Sequence, residues 1–544
     1  MSSDRDVSDL FRSPANSPEC SRMMQLPARR SGLTVAAAAV LVVLSFSCWS
    51  SPAPAVAGDA VQTLPAPLPV ELPVQPSAEP PARPRGAFVA KGSDLCVRCH
   101  RSEQNAWVDA STTAVWRHDA HSRAHLALSP DNSRTRGMEA VLGITAATTA
   151  ACVACHTHPA GEPAVEEETA LVHGGISCET CHGTGSGYFE PHMEKRWRFL
   201  SSAEKEALGM HDLRNPARKA ENCLSCHLGD VSTEKVITHA MYAAGHPPLP
   251  AFEIESFGKA MGPHWKRVWE KSPTIQQQAA EAGYRTEAAS ESQRSLIGGL
   301  VALRQSAALV DTYASAAIEN ARERPWPELA LYDCQACHHE LRVPSERQEA
   351  GYGGLVPGRP SLVRWPRGLA GVAFVEAGMP TDVDKLLAPW VAALNQRPFG
   401  EESGLQAAAG SRDHQAPIDR AIATLAAVSR TAVAGDPEAV ARSRGRIASL
   451  SAAGARCGDL ETARLLGWVM IAALQEDASL PEGERAMAIA ALESSLALGF
   501  PSPAYPQPPA PDKPFWQTSL SAARDADIER IRAAFMKAST KPAQ

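Results

Sequence analysis

The sequence has no excess of basic residues. Its 53 Lys and Arg residues against 60 Asp and Glu residues give a formal net charge of −7 over 544 residues. Nucleic-acid binding usually requires a basic patch or a basic domain. We therefore do not expect nucleic acid as a partner. A chain of this length can hold two or three domains.

The sequence also lacks a long uninterrupted hydrophobic stretch. Residues 33–46 form an apolar stretch that follows two arginines, and this stretch is short for a transmembrane helix. The Ala-Val-Ala pattern at 55–57 is typical of a signal-peptide cleavage site. We predict a signal peptide over residues 1–57 and a periplasmic or otherwise exported protein. An uncleaved N-terminal anchor that tethers the protein to a membrane is the alternative.

Cysteine is scarce outside one repeated pattern. Of the 13 cysteines, ten lie in five copies of Cys-x-x-Cys-His, Cys20 and Cys48 lie in the predicted signal segment, and Cys457 remains. Spare thiols outside the cytoplasm would be oxidised or mispaired, so their scarcity agrees with export. Cys457 lies in an Ala-rich helical context, where we expect a small buried side chain.

The repeated pattern predicts covalent attachment of haem c. Two thiols add to the two vinyl groups of the porphyrin, and the histidine that follows takes one axial position on the iron. A zinc knuckle would need a second ligand pair to close a tetrahedral site, and five copies cannot pair evenly. We therefore predict five covalently attached haems. The predicted attachment cysteines and axial histidines are Cys96, Cys99 and His100; Cys152, Cys155 and His156; Cys178, Cys181 and His182; Cys223, Cys226 and His227; and Cys334, Cys337 and His338.

The distribution of motifs and prolines predicts the domain organisation. Residues 58–85 are rich in proline, which predicts a disordered linker. Residues 86–345 contain all five motifs, about 52 residues for each haem, so the haems must form much of the core of a pentahaem domain. Residues 346–544 contain no motif and are Ala-rich. The predicted fold class is mainly α: a multihaem cytochrome c domain with little regular structure around packed haems, followed by an all-α helical domain.

Helical periodicity is clearest outside the motifs. Apolar residues at helical spacing predict one long helix over 285–322. In the C-terminal region, Asp459 is placed to cap a helix whose apolar stripe begins at Leu466. Residues 481–498 and 517–537 repeat that character. We interpret this region as a packing and docking domain.

Two segments resemble the cytochrome c-554 family, which consists of multihaem electron carriers related to hydroxylamine oxidoreductase. The first segment comprises the first motif, Trp107 and Asp-Ala-His-Ser-Arg-Ala at 119–124. The second comprises Gly-Ile-Ser-Cys-Glu-Thr-Cys-His-Gly at 175–183 with a histidine downstream. The resemblance covers roughly residues 90–230. The chain departs from the family by an insertion before residue 121 and by its fifth motif.

The resemblance implies second axial ligands for some of the haems. It implies His121 and His192, and a likeness to larger members of the family implies His239 and His246. His239 and His246 lie seven positions apart, so one helix could direct both to haems, although Gly-His-Pro at 245–247 indicates a turn at the second. His264 is the fifth candidate. We expect His118 and His125 to share a helical face with His121 and interpret both as residues that do not bind iron.

Two functions remain open at this stage. The first is a carrier that moves electrons through closely packed haems with two histidine ligands each. Its partners would be redox proteins or quinone-linked electron-transfer complexes. The second is an oxidoreductase that acts on hydroxylamine, nitrite or sulfite at a five-coordinate haem. No motif ends in Cys-Lys, the pattern that usually marks the catalytic haem of ammonia-forming nitrite reductases. We favour the carrier and predict no catalytic residue.

Overall fold

The computed structural model describes most of the chain after the proline-rich region. All described residues belong to one compact unit, Val70–Gln544. The predicted signal peptide and linker lie outside the described residues, as does Trp107. The described residues are 88, 90–100, 112–158, 175–261, 264–266, 270–282, 290–319, 326–339, 341, 343–345, 348, 359–379, 382–396, 401–428, 437–477, 479–496 and 528–539.

The motif-bearing region consists of short helices joined by turns. Because each helix is only one to three turns long, it needs tertiary packing for its stability. No β-strand occurs among the described residues, which contain two isolated β-bridges. The α-helices are α1 (Ser93–His100), α2 (Thr112–His118), α3 (Ser133–Leu142), α4 (Ala150–His156), α5 (Cys178–His182), α6 (Ser202–Ala207), α7 (Pro216–His227), α8 (His239–Ala243), α9 (Ile254–Met261) and α10 (Pro273–Glu281). The 3₁₀ helices are His121–Leu128, Gly185–Gly187, Pro191–Met193, Lys195–Phe199, Val231–Thr233, Leu329–Leu331 and Cys334–Ala336.

One long helix, α11 (Glu291–Glu319), follows these short elements. It confirms the long helix predicted over 285–322. The apolar stripe that carried the prediction is buried, with Leu296, Leu300 and Leu303 no more than 2% exposed. The helix also approaches its neighbour closely at Gly299, where an added Cβ would lie 2.5 Å from the Cβ of Leu369. Helix α11 is therefore the central packing element of the described region.

The C-terminal region is an assembly of longer helices, as predicted. Asp459 caps its helix by accepting a 2.8 Å hydrogen bond from the Thr462 amide, and Leu466 is buried. The fold class is therefore confirmed as mainly α, with short elements around the motifs and longer helices after them. The helices are α12 (Trp365–Glu376), α13 (Val383–Gln396), α14 (Glu401–Val428), α15 (Pro437–Gly454), α16 (Leu460–Glu476), α17 (Glu482–Leu496) and α18 (Ile528–Ser539).

The hydrophobic core is continuous across residue 345. One buried cluster runs from Leu224 in α7 through α11 to Phe535 in α18. A buried ion pair joins Arg446 of α15 to Glu376 of α12, and Arg446 also lies 3.4 Å from Glu476 of α16. The boundary between a haem domain at 86–345 and a helical domain at 346–544 stays a prediction, with the two regions sharing one core.

No helix in the described ranges has the length and apolar character to cross a membrane.

Candidate haem-binding site

Four of the five motifs end an α-helix. Helices α1, α4, α5 and α7 each finish at the histidine of Cys-x-x-Cys-His. Residues three and four positions apart share one helical face, so the two cysteines and the histidine of each motif project to the same side. In the fifth motif, Cys334–Ala336 form a 3₁₀ turn instead. The sequence spacing therefore becomes a local geometry that suits attachment to one face of a planar ring.

Side-chain caps fix where two of these helices begin. Ser177 starts α5 with a capping box in which its hydroxyl and that of Thr180 satisfy the free amides. Asn215 starts α7 by accepting a 3.0 Å hydrogen bond from the Ala217 amide, with Pro216 in the first turn. A side-chain cap of this kind contributes about 1 kcal/mol. The caps thus set the register of the third and fourth motifs.

All five motifs line one large cavity of 2740 Å³. The ten motif cysteines and five motif histidines border it, as do the five candidate second ligands. A pocket for a single drug-sized ligand usually measures about 300–1,000 Å³. The cavity is therefore large enough for several groups of that size, and its lining carries the side chains that haem c requires.

Each motif histidine faces one of the five candidate second ligands across this cavity. The separations between ring centroids fall between 6.0 and 6.5 Å. The pairs are His100 with His192 (6.5 Å), His227 with His121 (6.0 Å), His156 with His246 (6.3 Å), His182 with His264 (6.5 Å) and His338 with His239 (6.3 Å).

These separations match two imidazoles on opposite sides of one iron. A metal–nitrogen bond to imidazole is about 2.0–2.1 Å, and each nitrogen lies about 1.1 Å from its ring centroid, so the two centroids should lie about 6.3 Å apart. Aromatic rings that pack directly also have centroids about 4.5–7 Å apart. The argument for a metal between the rings is therefore the recurrence of nearly the same separation in all five pairs, each of which contains a motif histidine.

Several of these imidazoles are held in the neutral form that binds metals. Burial lowers the pKa of His182, His227 and His246 to about 4 each. Burial likewise lowers the pKa of His100 and His156. A neutral imidazole keeps the lone pair that a metal needs.

Cysteines of different motifs approach one another. Cys178 lies close enough to Cys96 to raise the pKa of its thiol, and Cys226 does the same to Cys155. Cys181 is close enough to Cys226 to interact with it electrostatically. The first motif thus neighbours the third, the third neighbours the fourth, and the fourth neighbours the second.

Helix α8 connects the second and fifth motifs. His239 at its first residue faces the fifth motif, and His246, just after its end, faces the second. Gly245 has a φ of 114°, a left-handed conformation that favours glycine. This turn, which the sequence predicted, directs the two histidines to different motifs.

The segment that carries His121 is held by the third motif. The amides of Gly175 and Ile176 donate hydrogen bonds of 3.2 and 2.8 Å to the carbonyls of Ser122 and His121. A Cβ on Gly175 would overlap the His121 carbonyl oxygen, so only glycine permits this approach. His118 ends α2 while His121 begins a 3₁₀ helix. The expectation that these two histidines share one helical face was therefore wrong.

Glu179 is a buried residue whose role the sequence did not reveal. Its carboxylate is 3% exposed and accepts hydrogen bonds from the amides of Lys91, Gly92 and Gly185 at 2.6–3.0 Å. His158 lies 3.6 Å from it. Because Glu179 belongs to the third motif and Gly92 immediately precedes α1, the carboxylate joins the segments of the first and third motifs. The glutamate within Cys-Glu-Thr-Cys-His was the only sequence signal for this contact.

The C-terminal helices also contribute to the site. Glu461 and Arg464 of α16 line the cavity. Trp468 of the same helix meets Phe257 edge to face at 6.2 Å, and Phe257 lies 5.9 Å from the ring of His227. A region without any haem motif therefore packs behind the fourth motif. Periodicity alone could not predict this contact.

Part of the motif-bearing region is similar in sequence to known proteins. Residues 95–183 match the family model described as "Cytochrome c554 and c-prime". This part of the chain is therefore similar to the cytochrome c-554 family. The cytochrome c-554 of Nitrosomonas europaea is 25% identical over 190 residues, which cover 32% of this chain and 76% of that relative. No solved structure matches the chain.

This similarity supports a c-type cytochrome, the class of protein that transfers electrons and binds haem c covalently. The family match ends at residue 183, so it contains the first three motifs. The fourth and fifth motifs, helix α8 and the C-terminal helices lie beyond it.

Proposed function

We propose that the protein is an exported pentahaem electron carrier in which two histidines hold every iron. The support comes from the five facing histidine pairs, all separated by the distance that a bis-imidazole iron requires. In this proposal the motif histidines are the proximal ligands. His121, His192, His239, His246 and His264 are the distal ligands.

Haem c supplies a one-electron ferric–ferrous couple at each iron. The cysteines would fix each ring, and the two histidines would keep the same coordination in both oxidation states. A ligand set that does not change requires little rearrangement when an electron arrives. With both axial positions taken, no position remains for a substrate.

The neighbouring motifs support transfer between haems. Neighbouring cysteines place the motifs in the order first, third, fourth and second, and α8 extends this order to the fifth motif. We propose that electrons enter or leave through transient contacts with redox proteins or with a quinone-linked complex. The interfaces of such transient complexes are usually small, and their affinity falls as salt concentration rises.

Carbon monoxide binding tests the proposal directly. A pyridine haemochrome assay should give five haems per chain, and dithionite-reduced protein should bind almost no carbon monoxide. Stoichiometric binding at one haem, together with turnover of hydroxylamine, nitrite or sulfite, would contradict the carrier and support the oxidoreductase. Binding at one haem without turnover would contradict the proposed ligand set while leaving the carrier function intact.

A further inference from the structure

Asp119 forms a carboxylate contact with one of the proposed distal ligands. Its Oδ1 lies 2.6 Å from Nδ1 of His121, and it also accepts a 2.9 Å hydrogen bond from the His121 amide. The side chain of Asp119 is 10% exposed. Because α2 ends at His118 and the 3₁₀ helix begins at His121, the bend between them holds the carboxylate beside the ring.

Other histidines of the site use neutral acceptors for the same nitrogen. Nδ1 of His246 lies 2.7 Å from the Pro247 carbonyl, and Nδ1 of His156 lies 3.1 Å from the Ala124 carbonyl. Nδ1 of His192 contacts the Phe189 carbonyl. A carbonyl oxygen orients an imidazole without adding a charge, whereas a carboxylate both orients the ring and makes it a stronger electron donor.

The opposite side of this pair is apolar. His227 stacks on Phe252 with ring centroids 4.6 Å apart and meets Phe257 at 5.9 Å. The carboxylate at Nδ1 of His121 therefore places a negative charge directly on one ligand of this pair. A negative charge next to a ligand favours the ferric state, and a low-dielectric surrounding weakens its screening.

We propose that Asp119 tunes the haem held between His227 and His121, giving it a lower reduction potential than it would have with a neutral hydrogen-bond acceptor. Asp119 is a positioning residue that acts through His121 and does not itself contact the iron. The proposal rests on the proposed function, because it takes His121 as a ligand.

The test compares Asp119→Asn with Asp131→Asn in the holoprotein. Asn at 119 is nearly isosteric and retains an oxygen but removes the charge. Asp131 is an exposed carboxylate that also borders the cavity, so it controls for loss of one negative charge nearby. Midpoint potentials are read from a spectroelectrochemical titration, and ligand strength is read from the low-spin signals in electron paramagnetic resonance.

We expect Asp119→Asn to raise the midpoint potential of one of the five haems. The expected change in the ferric–ferrous equilibrium constant is at least tenfold, which corresponds to about 59 mV for one electron. The low-spin signal of the same haem should shift. Asp131→Asn should move that midpoint potential much less. Asp119→Glu keeps the charge and should therefore retain the low potential. All variants are compared at a haem content of five per chain.

Three results would overturn the inference. In the first, no potential changes in Asp119→Asn. In the second, Asp131→Asn has an equal effect, which would indicate general surface charge. In the third, Asp119→Asn creates a carbon monoxide site, which would show that Asp119 only anchors the ring. Failure of the ligand assignment itself is separable, because His121→Ala would then leave all five haems low-spin.

Discussion

His239 and His338 face each other with nearly parallel rings, 6.3 Å between centroids and 20° between planes. Glu328 holds the two segments together, since its Oε1 accepts hydrogen bonds from the amides of His239 (2.7 Å) and Ala330 (2.9 Å). The acceptor therefore links the first residue of α8 to the 3₁₀ turn that precedes the fifth motif. This arrangement attaches the fifth motif to the other four.

The fifth pair predicts a specific effect of removing His239. His239→Ala should convert one of five haems from low-spin to high-spin and create one carbon monoxide site, because the iron would lose one axial ligand. His339→Ala is the matched control, since His339 directly follows the motif histidine but is not the partner of its ring. Optical spectra of reduced protein with and without carbon monoxide provide the measurement. A new carbon monoxide site in His339→Ala but not in His239→Ala would show that His339, and not His239, is the second ligand.

A double variant separates the two histidines carried by α8. His239 and His246 face different motifs, so His239→Ala with His246→Ala should bind two equivalents of carbon monoxide. Each single variant should bind one. Haem content should remain five in all three proteins, because the cysteines are untouched. One equivalent in the double variant would mean that both histidines serve the same haem.

The thiol content of the denatured holoprotein reports on both haem attachment and processing. If all ten motif cysteines are thioethers, alkylation after denaturation should label only Cys457 in a protein cleaved before residue 58. In the native protein Cys457 should stay unlabelled, because its side chain is buried and burial raises its pKa to about 12.

Departures from this count have separate meanings. Each motif without haem would add two labelled thiols. Retention of the N-terminal segment would also add two, Cys20 and Cys48, but a peptide digest would locate them. Intact mass gives an independent count of the attached haems.

The sequence predicted the types of residue at the site better than their arrangement. Cys-x-x-Cys-His encodes its own helical face, so the motif geometry follows from local spacing. The five candidate second ligands came from family resemblance and local context. Which candidate faces which motif depends on packing between distant segments; His246, for example, lies opposite His156 rather than opposite a motif nearer in sequence.

The fold shows the same division between local and distant effects. Helix α11 could be predicted from a periodic apolar stripe, and Asp459 from its capping position. The contact of Trp468 with Phe257 could not, because it depends on how α16 packs against α9. The bond between Asp119 and His121 was also missed, although the two residues are only two positions apart. Sequence spacing does not reveal whether the backbone bends the carboxylate toward the ring.

The close approach of α11 and α12 predicts opposite effects of the same substitution at two glycines. Gly299→Ala would place a Cβ 2.5 Å from the Cβ of Leu369, so one helix must shift. Overpacking of this kind costs about 1–3 kcal/mol.

Gly445 in α15 is also helical, but no atom lies within 4 Å of a Cβ added there. Gly445→Ala should therefore stabilise the protein by up to about 1 kcal/mol, because alanine favours helix. Thermal unfolding of the oxidised holoproteins should therefore give a lower Tm for Gly299→Ala and an equal or higher Tm for Gly445→Ala. Because α11 also packs against the motif helix α7 through the shared core, the loss at position 299 should be accompanied by earlier exposure of the haems, seen as a loss of low-spin absorbance at the same temperature. An equal rise of Tm in both variants would show that α12 adapts without cost and that α11 is not tightly packed against the C-terminal helices.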